Sequence, residues 1–193
     1  TLTIAASVSP TLTSVENIDL TTTNTTTLTL DNASDVTRVD IENGSANTIT
    51  LSGMATGGTV RLFDGDTSIV ADTAVGGELT IDSHLDSTGT TSVTDAATVN
   101  IVSTITGAGN AGDITSLSLD IVDTTALTVT GGTVTTTDVD TGNITNTNAL
   151  QTLTVSSSTN NSDVTLGSLV DGDALTTITI DGNYGDVTLG AIG

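Results

Sequence analysis

A two-strand pattern that occurs twice near the C-terminal end of the chain constrains the fold most. Residues 149–155 (ALQTLTV) are echoed by residues 174–180 (ALTTITI), and residues 162–167 (SDVTLG) are echoed by residues 185–190 (GDVTLG). Each copy contains two short segments in which apolar residues alternate with Thr, which is the pattern of half-buried β-strands. A unit of two short strands cannot bury its apolar face alone, so the repeat predicts that successive units stack.

The same alternation continues through the whole chain. When every second segment is taken as the start of a coil, the starts fall at residues 18, 39, 60, 79, 99, 117, 134, 153 and 178, a period near 20. The periodicity is weakest around residues 82–98, where only Leu85 and Val93 are candidates for the partner strand. An aliphatic residue or Ala three positions before several segments predicts a corner that turns the chain inward.

These patterns predict an all-β fold. The architecture is a β-solenoid of the parallel β-helix or β-roll kind, with about nine coils of about 20 residues and two main strands per coil. We expect residues 1–193 to form a single segment of this kind. Two Ig-like β-sandwiches are the alternative, because regularly spaced short strands also fit that fold. The nearly constant period and the absence of Trp favour the solenoid.

The composition argues against several functional classes. The chain has 46 Thr, 20 Asp and no Lys, and its formal net charge is −21. Such a surface repels nucleic acid and anionic membranes, because both require Lys or Arg to neutralise phosphate, and it attracts divalent cations. Without Cys there is no disulfide or zinc–thiolate site. No apolar run reaches the length of about 18 residues that membrane insertion needs.

The residues needed for most catalytic arrangements are scarce. One His (His84), no Cys and no Lys remove most pairs of nucleophile and base. Arg38 and Arg61 occupy equivalent places in successive coils, so we expect them to stack on one face. We interpret them as ion-pair partners of Asp40 or Asp64, and His84 as a solvated turn residue. We therefore expect a non-enzymatic protein.

Acidic turns, several of them containing Gly, are the candidate metal sites. Calcium takes about six to eight oxygen ligands from carboxylates and loop carbonyls, and stacked turns would supply carboxylates from adjacent coils. Asp and Asn are also the commonest turn formers, and no segment matches an EF-hand or the glycine-rich nonapeptide of calcium β-rolls. The candidate Ca²⁺ ligands are Asp64, Asp66, Asp138, Asp140, Asn143, Asp171, Asp173, Asp181, Asn183 and Asp186.

Thr-x-Thr triplets suggest a minor alternative. Flat Thr arrays on solenoids resemble ice-binding surfaces, although charged residues interrupt the array in the middle of the chain. The triplets expected to share one face are residues 27–29, 48–50, 133–135, 152–154 and 177–179.

The segment Leu12-Thr-Ser-Val-Glu-Asn-Ile-Asp-Leu20 resembles a sequence motif that recurs in bacterial surface-layer (S-layer) proteins of the type I-secreted, RTX-associated kind. The excess of Thr, Ala, Asp, Gly and Asn is also similar to those proteins. The resemblance implies a self-assembling lattice segment of a longer secreted protein on the bacterial cell surface. It further implies lateral contacts between copies, calcium-dependent assembly, and an anchor to a cell-surface glycan through a missing domain. Large repetitive adhesins share this composition and are the alternative.

Overall fold

Alternating apolar and polar residues form fifteen β-strands in the part of the chain that the structure, a computed structural model, describes. That part comprises residues 2–3, 7–21, 24–42, 48–63, 68–83, 90–103, 114–131, 138–157, 162–182 and 184–193. A short 3₁₀ turn spans Thr147–Ala149. The strands are β1 (Leu2–Thr3), β2 (Asn17–Thr21), β3 (Thr26–Thr29), β4 (Arg38–Glu42), β5 (Thr48–Met54), β6 (Gly58–Leu62), β7 (Ser68–Ser83), β8 (Thr90–Ser103), β9 (Ile114–Ile121), β10 (Ala126–Thr130), β11 (Val139–Thr145), β12 (Thr152–Ser156), β13 (Val164–Leu166), β14 (Thr177–Asp181) and β15 (Val187–Leu189).

All pairings between these strands are parallel, and the chain alternates between two faces of a rod. The first face stacks β1, β2, β4, β6, the second half of β7, the second half of β8, β10, β12 and β14. The second face stacks β3, β5, the first half of β7, the first half of β8, β9, β11, β13 and β15. The predicted β-solenoid with two main strands per coil is therefore confirmed. The parallel pairing excludes Ig-like sandwiches, whose sheets are antiparallel.

The core is one cluster of aliphatic side chains that successive coils place in register. On the first face, Ile18, Val39, Val60, Ile81 and Ile101 pair one after another, and none is more than 4% exposed. The predicted corner position is also confirmed in three coils. The buried residues three positions before the strand core in these coils are Val36, Ala96 and Leu150.

The coil length differs between the two halves of the rod. Ile18 pairs with Val39, 21 residues later, and Ile81 pairs with Ile101, 20 residues later. Beyond that point Ile101 pairs with Val129, 28 residues later, so the period near 20 does not continue. The predicted coil start at Leu117 is wrong, because Leu117 lies in β9 on the second face. Additional residues between two strands lengthen a coil but leave the alternation within each strand unchanged. Taking every second segment therefore no longer selects strands of one face.

In the region of weakest periodicity, residues 82–98, the described residues belong to the ladder. β8 runs from Thr90 to Ser103 and pairs with β7 on both faces of the rod. Val93, one of the two predicted partner-strand residues, is fully buried there. Leu85 and His84 lie outside the described residues, as does the predicted coil start at residue 134.

Candidate functional site

Three aspartates stack at one corner of successive coils, and they form the most regular carboxylate arrangement at the predicted acidic turns. Asp138, Asp163 and Asp186 each precede a strand of the second face, and the Val that follows each one pairs in register with its neighbours. The backbone N–H of Asp163 donates to Oδ1 of Asp138 at 2.9 Å, and the N–H of Asp186 donates to Oδ1 of Asp163 at 2.8 Å. We call these three residues the aspartate corner.

The local sequence explains why Asp occupies this position. Each residue stands immediately before a strand begins, where the regular ladder does not yet supply a partner for its N–H group. For Asp163 and Asp186, a carboxylate oxygen from the previous coil accepts that hydrogen bond, and bonds to a charged acceptor are the stronger ones. Asp163 and Asp186 are exposed and Asp138 is half-buried. Because parallel rungs are spaced by about 4.8 Å, the corner presents carboxylates to solvent at that spacing.

The structure brings only some of the predicted calcium ligands together. Asp138 and Asp186 belong to the aspartate corner, and Asp163 between them was not predicted. Three predicted ligands lie outside the described residues: Asp64, Asp66 and Asn183. The described residues contain no group of three or more His, Cys, Asp or Glu side chains arranged to hold a metal ion.

The other predicted ligands have separate places along the rod. Asp140 lies in β11 opposite Thr165, and Asn143 is exposed later in the same strand. Asp171 and Asp173 are exposed in the turn after Leu169, where Asp171 has a positive φ of 65°. Asp181 ends β14 and pairs with Ser156. These residues are therefore distributed over a strand face, a turn and a strand end.

A second acidic corner lies in the other half of the rod and was missed by the sequence interpretation. A groove of about 410 Å³ is lined by three carboxylates from different coils. The N–H of Gly53 donates to Oδ1 of Asp72 at 2.5 Å. The Asp-Gly-Asp pattern does not identify these residues, because Asp31 lies in a turn after β3 and Asp72 and Asp95 stand singly within β7 and β8. The residues lining the groove are Asp31, Ser52, Gly53, Met54, Asp72, Thr73, Ala74 and Asp95.

The two arginines form an ion-pair ladder on the first face. Arg38 Nε lies 2.9 Å from Asp40 Oδ1, and Arg61 Nη1 lies 3.4 Å from Asp40 Oδ2. Arg61 Nε also lies 3.7 Å from Asp82 Oδ2, and its guanidinium lies 5.1 Å from the Phe63 ring centre. The predicted ion pairs with Asp40 are confirmed, whereas Asp64 lies outside the described residues.

The ladder has a different register from the one predicted. Arg61 pairs with Asp40 in the strand register, and Arg38 pairs with Thr59, so the two arginines are offset by two positions. Both still point outward on the first face, because the offset preserves the alternation of the strand. The offset allows Arg61 to contact an aspartate on each neighbouring rung.

The expectation that the Thr triplets share one face is wrong. Residues 27–29 and 48–50 lie on the second face, whereas residues 152–154 and 177–179 lie on the first; residues 133–135 lie outside the described part. This error has the same cause as the wrong coil start at Leu117, because the coil length changes after Ile101. In the C-terminal half of the first face, β10 supplies further Thr residues beside these. The resulting uncharged patch consists of Ala126, Thr128, Thr130, Thr152, Thr154, Ser156, Thr177 and Thr179.

Comparison with known proteins finds no matching family model, no similar curated protein and no similar solved structure. Among the described residues, no helix has the length and apolar character needed to span a bilayer.

Proposed function

We propose that this chain is a non-enzymatic structural segment of a bacterial surface layer that assembles through lateral contacts assisted by calcium. The observation that carries the proposal is the continuous parallel ladder of coils along the chain. Such a ladder makes a stiff rod whose outward faces repeat at every rung, and a lattice is built from rigid repeating units. An outer-surface location and an anchor through another part of the protein belong to the same proposal.

The charge of the rod supports a role for a divalent cation. A net charge of −21 makes neighbouring rods repel one another. Calcium bound to exposed carboxylates of the aspartate corner would reduce that repulsion and allow faces to approach. The uncharged Thr patch on the first face supplies eight outward positions without charge, bordered by Asp181 beside Ser156.

Calcium dependence is tested by thermal melting and sedimentation of the protein in calcium, in magnesium and in chelator. A cation that binds the folded state stabilises it by mass action, so calcium is expected to raise the melting temperature. Calcium is also expected to promote association, with a smaller effect of magnesium, which prefers a rigid octahedral site. An unchanged melting temperature together with unchanged association in chelator would contradict the calcium part of the proposal.

The Asp163→Asn variant tests the aspartate corner itself. Asn keeps a carbonyl oxygen that can accept the hydrogen bond from Asp186 and removes the central charge of the corner. We expect the calcium concentration for half-maximal association to rise about tenfold, because carboxylate charge sets calcium affinity. The measurement is light scattering during a calcium titration.

Asp35→Asn is the matched control for this variant. Asp35 is exposed and accepts a hydrogen bond from the N–H of Ser14 in the neighbouring coil at 2.9 Å, so its local role is similar. Its substitution should leave the calcium titration nearly unchanged. Equal shifts in both variants would assign the effect to net charge and remove the aspartate corner from the proposal. Ligand binding by rods that never associate would favour an adhesin instead.

A further inference from the structure

The first face of the rod is charged in one half and uncharged in the other. In β2, β4, β6 and β7, one outward column consists of Asp19, Asp40, Arg61 and Asp82, which pair in register. Two rungs beyond Asp82 the same column continues with Thr130, a member of the uncharged Thr patch. The Thr patch therefore begins where the charged column has ended, and its border is Asp181 in β14.

The second face has the reverse arrangement. Its later rungs carry Asp120 in β9 and Asp140 in β11, whereas its earlier rungs have an uncharged outward surface. The outward residues of these earlier rungs are half-buried and alternate with buried ones along β3, β5, β7 and β8. We call this surface, which is bordered by Asp72 and Asp120, the second-face patch. It consists of Thr27, Thr29, Thr48, Thr50, Ser52, Ser68, Val70 and Ser92.

The two patches present the same chemical groups. In the second-face patch the Ser52 hydroxyl donates to Thr29 Oγ1 at 3.3 Å, and in the Thr patch the Ser156 hydroxyl donates to Thr130 Oγ1 at 3.5 Å. A hydroxyl both donates and accepts, so one surface of Thr and Ser is complementary to another. In a chain with a net charge of −21, a second copy can approach most closely where neither copy buries a carboxylate. The partner that the two patches fit is a second copy of this chain.

We propose that the uncharged Thr patch of one copy docks on the second-face patch of a neighbouring copy, with the two rods offset along their axes. The patch centres lie in β12 and β5, about five rungs apart, so the offset is roughly 24 Å. Without this offset, the second-face patch would face the charged column of β2, β4, β6 and β7. Because the two surfaces differ, the contact is heterologous and repeats from rod to rod. The inference rests on the lateral contacts of the proposed function and adds which faces meet.

The Thr154→Asp and Thr50→Asp variants place one negative charge at the centre of each patch. Thr80→Asp and Thr165→Asp are the matched controls, because these residues are half-buried outward residues of the first and second face outside the patches. A docked copy would cover the new carboxylate without a partner for it. We therefore expect each patch variant to weaken association about tenfold and each control to leave it nearly unchanged. The measurement is sedimentation velocity in calcium, with circular dichroism confirming that all four variants fold.

Mixing the two patch variants distinguishes contact between unlike patches from contact between like patches. In either variant alone, every contact between unlike patches includes one altered surface. The mixture retains one unaltered combination, the Thr patch of the Thr50→Asp chain with the second-face patch of the Thr154→Asp chain. Mixing should therefore restore association into pairs. Either variant forming pairs by itself as well as the wild type does would show that like patches meet, which contradicts the proposal.

Cross-linking tests the offset between the rods. The chain has no Cys, so Thr50→Cys and Thr154→Cys can be introduced on separate copies and oxidised after mixing. Thr59→Cys is the control, because Thr59 lies in β6 on the first face, near the coil of Thr50. We expect residue 50 to cross-link to residue 154 several times more than to residue 59. The opposite preference would show rods without the offset and overturn the proposal.

Failure of this inference can be told apart from failure of the proposed function. A wild-type chain that stays monomeric in calcium would contradict both. A wild-type chain that associates in calcium while Thr154→Asp and Thr50→Asp behave like their controls would overturn this inference alone, because assembly would then use other surfaces of the rod.

Discussion

The buried hydroxyl of Thr91 is an isolated polar group in the core. Thr91 is fully buried and pairs in register with Ile69 on one side and Leu119 on the other. Its Oγ1 has no hydrogen-bond partner among the residues that the structure describes. A buried hydroxyl without a partner loses its interaction with water and gains nothing in return. An aliphatic side chain of the same shape would therefore be more stable than Thr at this position between Ile69 and Leu119.

The Thr91→Val variant is expected to raise the free energy of unfolding by about 1 kcal/mol, because it removes the desolvation penalty without changing the volume. Chemical denaturation measures the change. Thr73→Val is the matched control, since the buried Thr73 hydroxyl donates to the Met54 carbonyl at 2.8 Å. The control should lower stability by a similar amount. Loss of stability in both variants would show that the Thr91 hydroxyl has a partner in solution.

At the scale of the strand, the ion-pair ladder joins three rungs of the first face. Asp40 and Asp82 are 6% exposed, and Arg61 contacts both of them. Among the described acidic residues, Arg38 contacts Asp40 alone, and it is itself more exposed. Removal of Arg61 therefore takes a positively charged partner away from both nearly buried carboxylates, Asp40 and Asp82. Removal of Arg38 leaves Asp40 paired with Arg61.

Arg61→Met is accordingly expected to lower the free energy of unfolding by about 2 kcal/mol, below the full cost of breaking a buried pair because Arg61 remains partly exposed to solvent. Arg38→Met should cost less than half as much. Urea denaturation of the two variants gives the comparison. A larger loss for Arg38→Met would contradict the ladder as described.

The strands were largely predictable from the sequence, and the order of the coils only in part. Alternation of apolar residues with Thr reports which side chains point inward, and Ile18, Val39 and Val60 were placed correctly for that reason. The alternation carries no information about which face of the rod a strand occupies. Leu117 was therefore assigned to the wrong face once a longer connection followed Ile101.

The candidate site was less predictable than the fold. Asp138 and Asp186 were identified because they lie in acidic turns, but Asp163 stands alone in its turn. Its role depends on the register between coils, since it accepts a hydrogen bond from a residue 23 positions away. The same applies to Asp72, whose carboxylate accepts from Gly53, 19 positions earlier. Contacts of this kind follow from stacking and leave no local motif.

At the scale of the whole molecule, the sides of the rod are the surfaces that the proposed function uses for contact with other copies. They carry the aspartate corner and the uncharged Thr patch, which lie on different faces. Neighbouring rungs repeat at about 4.8 Å along the rod, so both features recur at that spacing. Lateral contacts between such rods would generate an ordered array.

The most direct test of this account is electron microscopy and diffraction of the purified protein with calcium and with chelator. We expect ordered sheets in calcium, with a reflection near 4.8 Å along the rods, and dispersed particles in chelator. Dispersed particles at every calcium concentration would contradict the proposal that this chain is a lattice-forming segment.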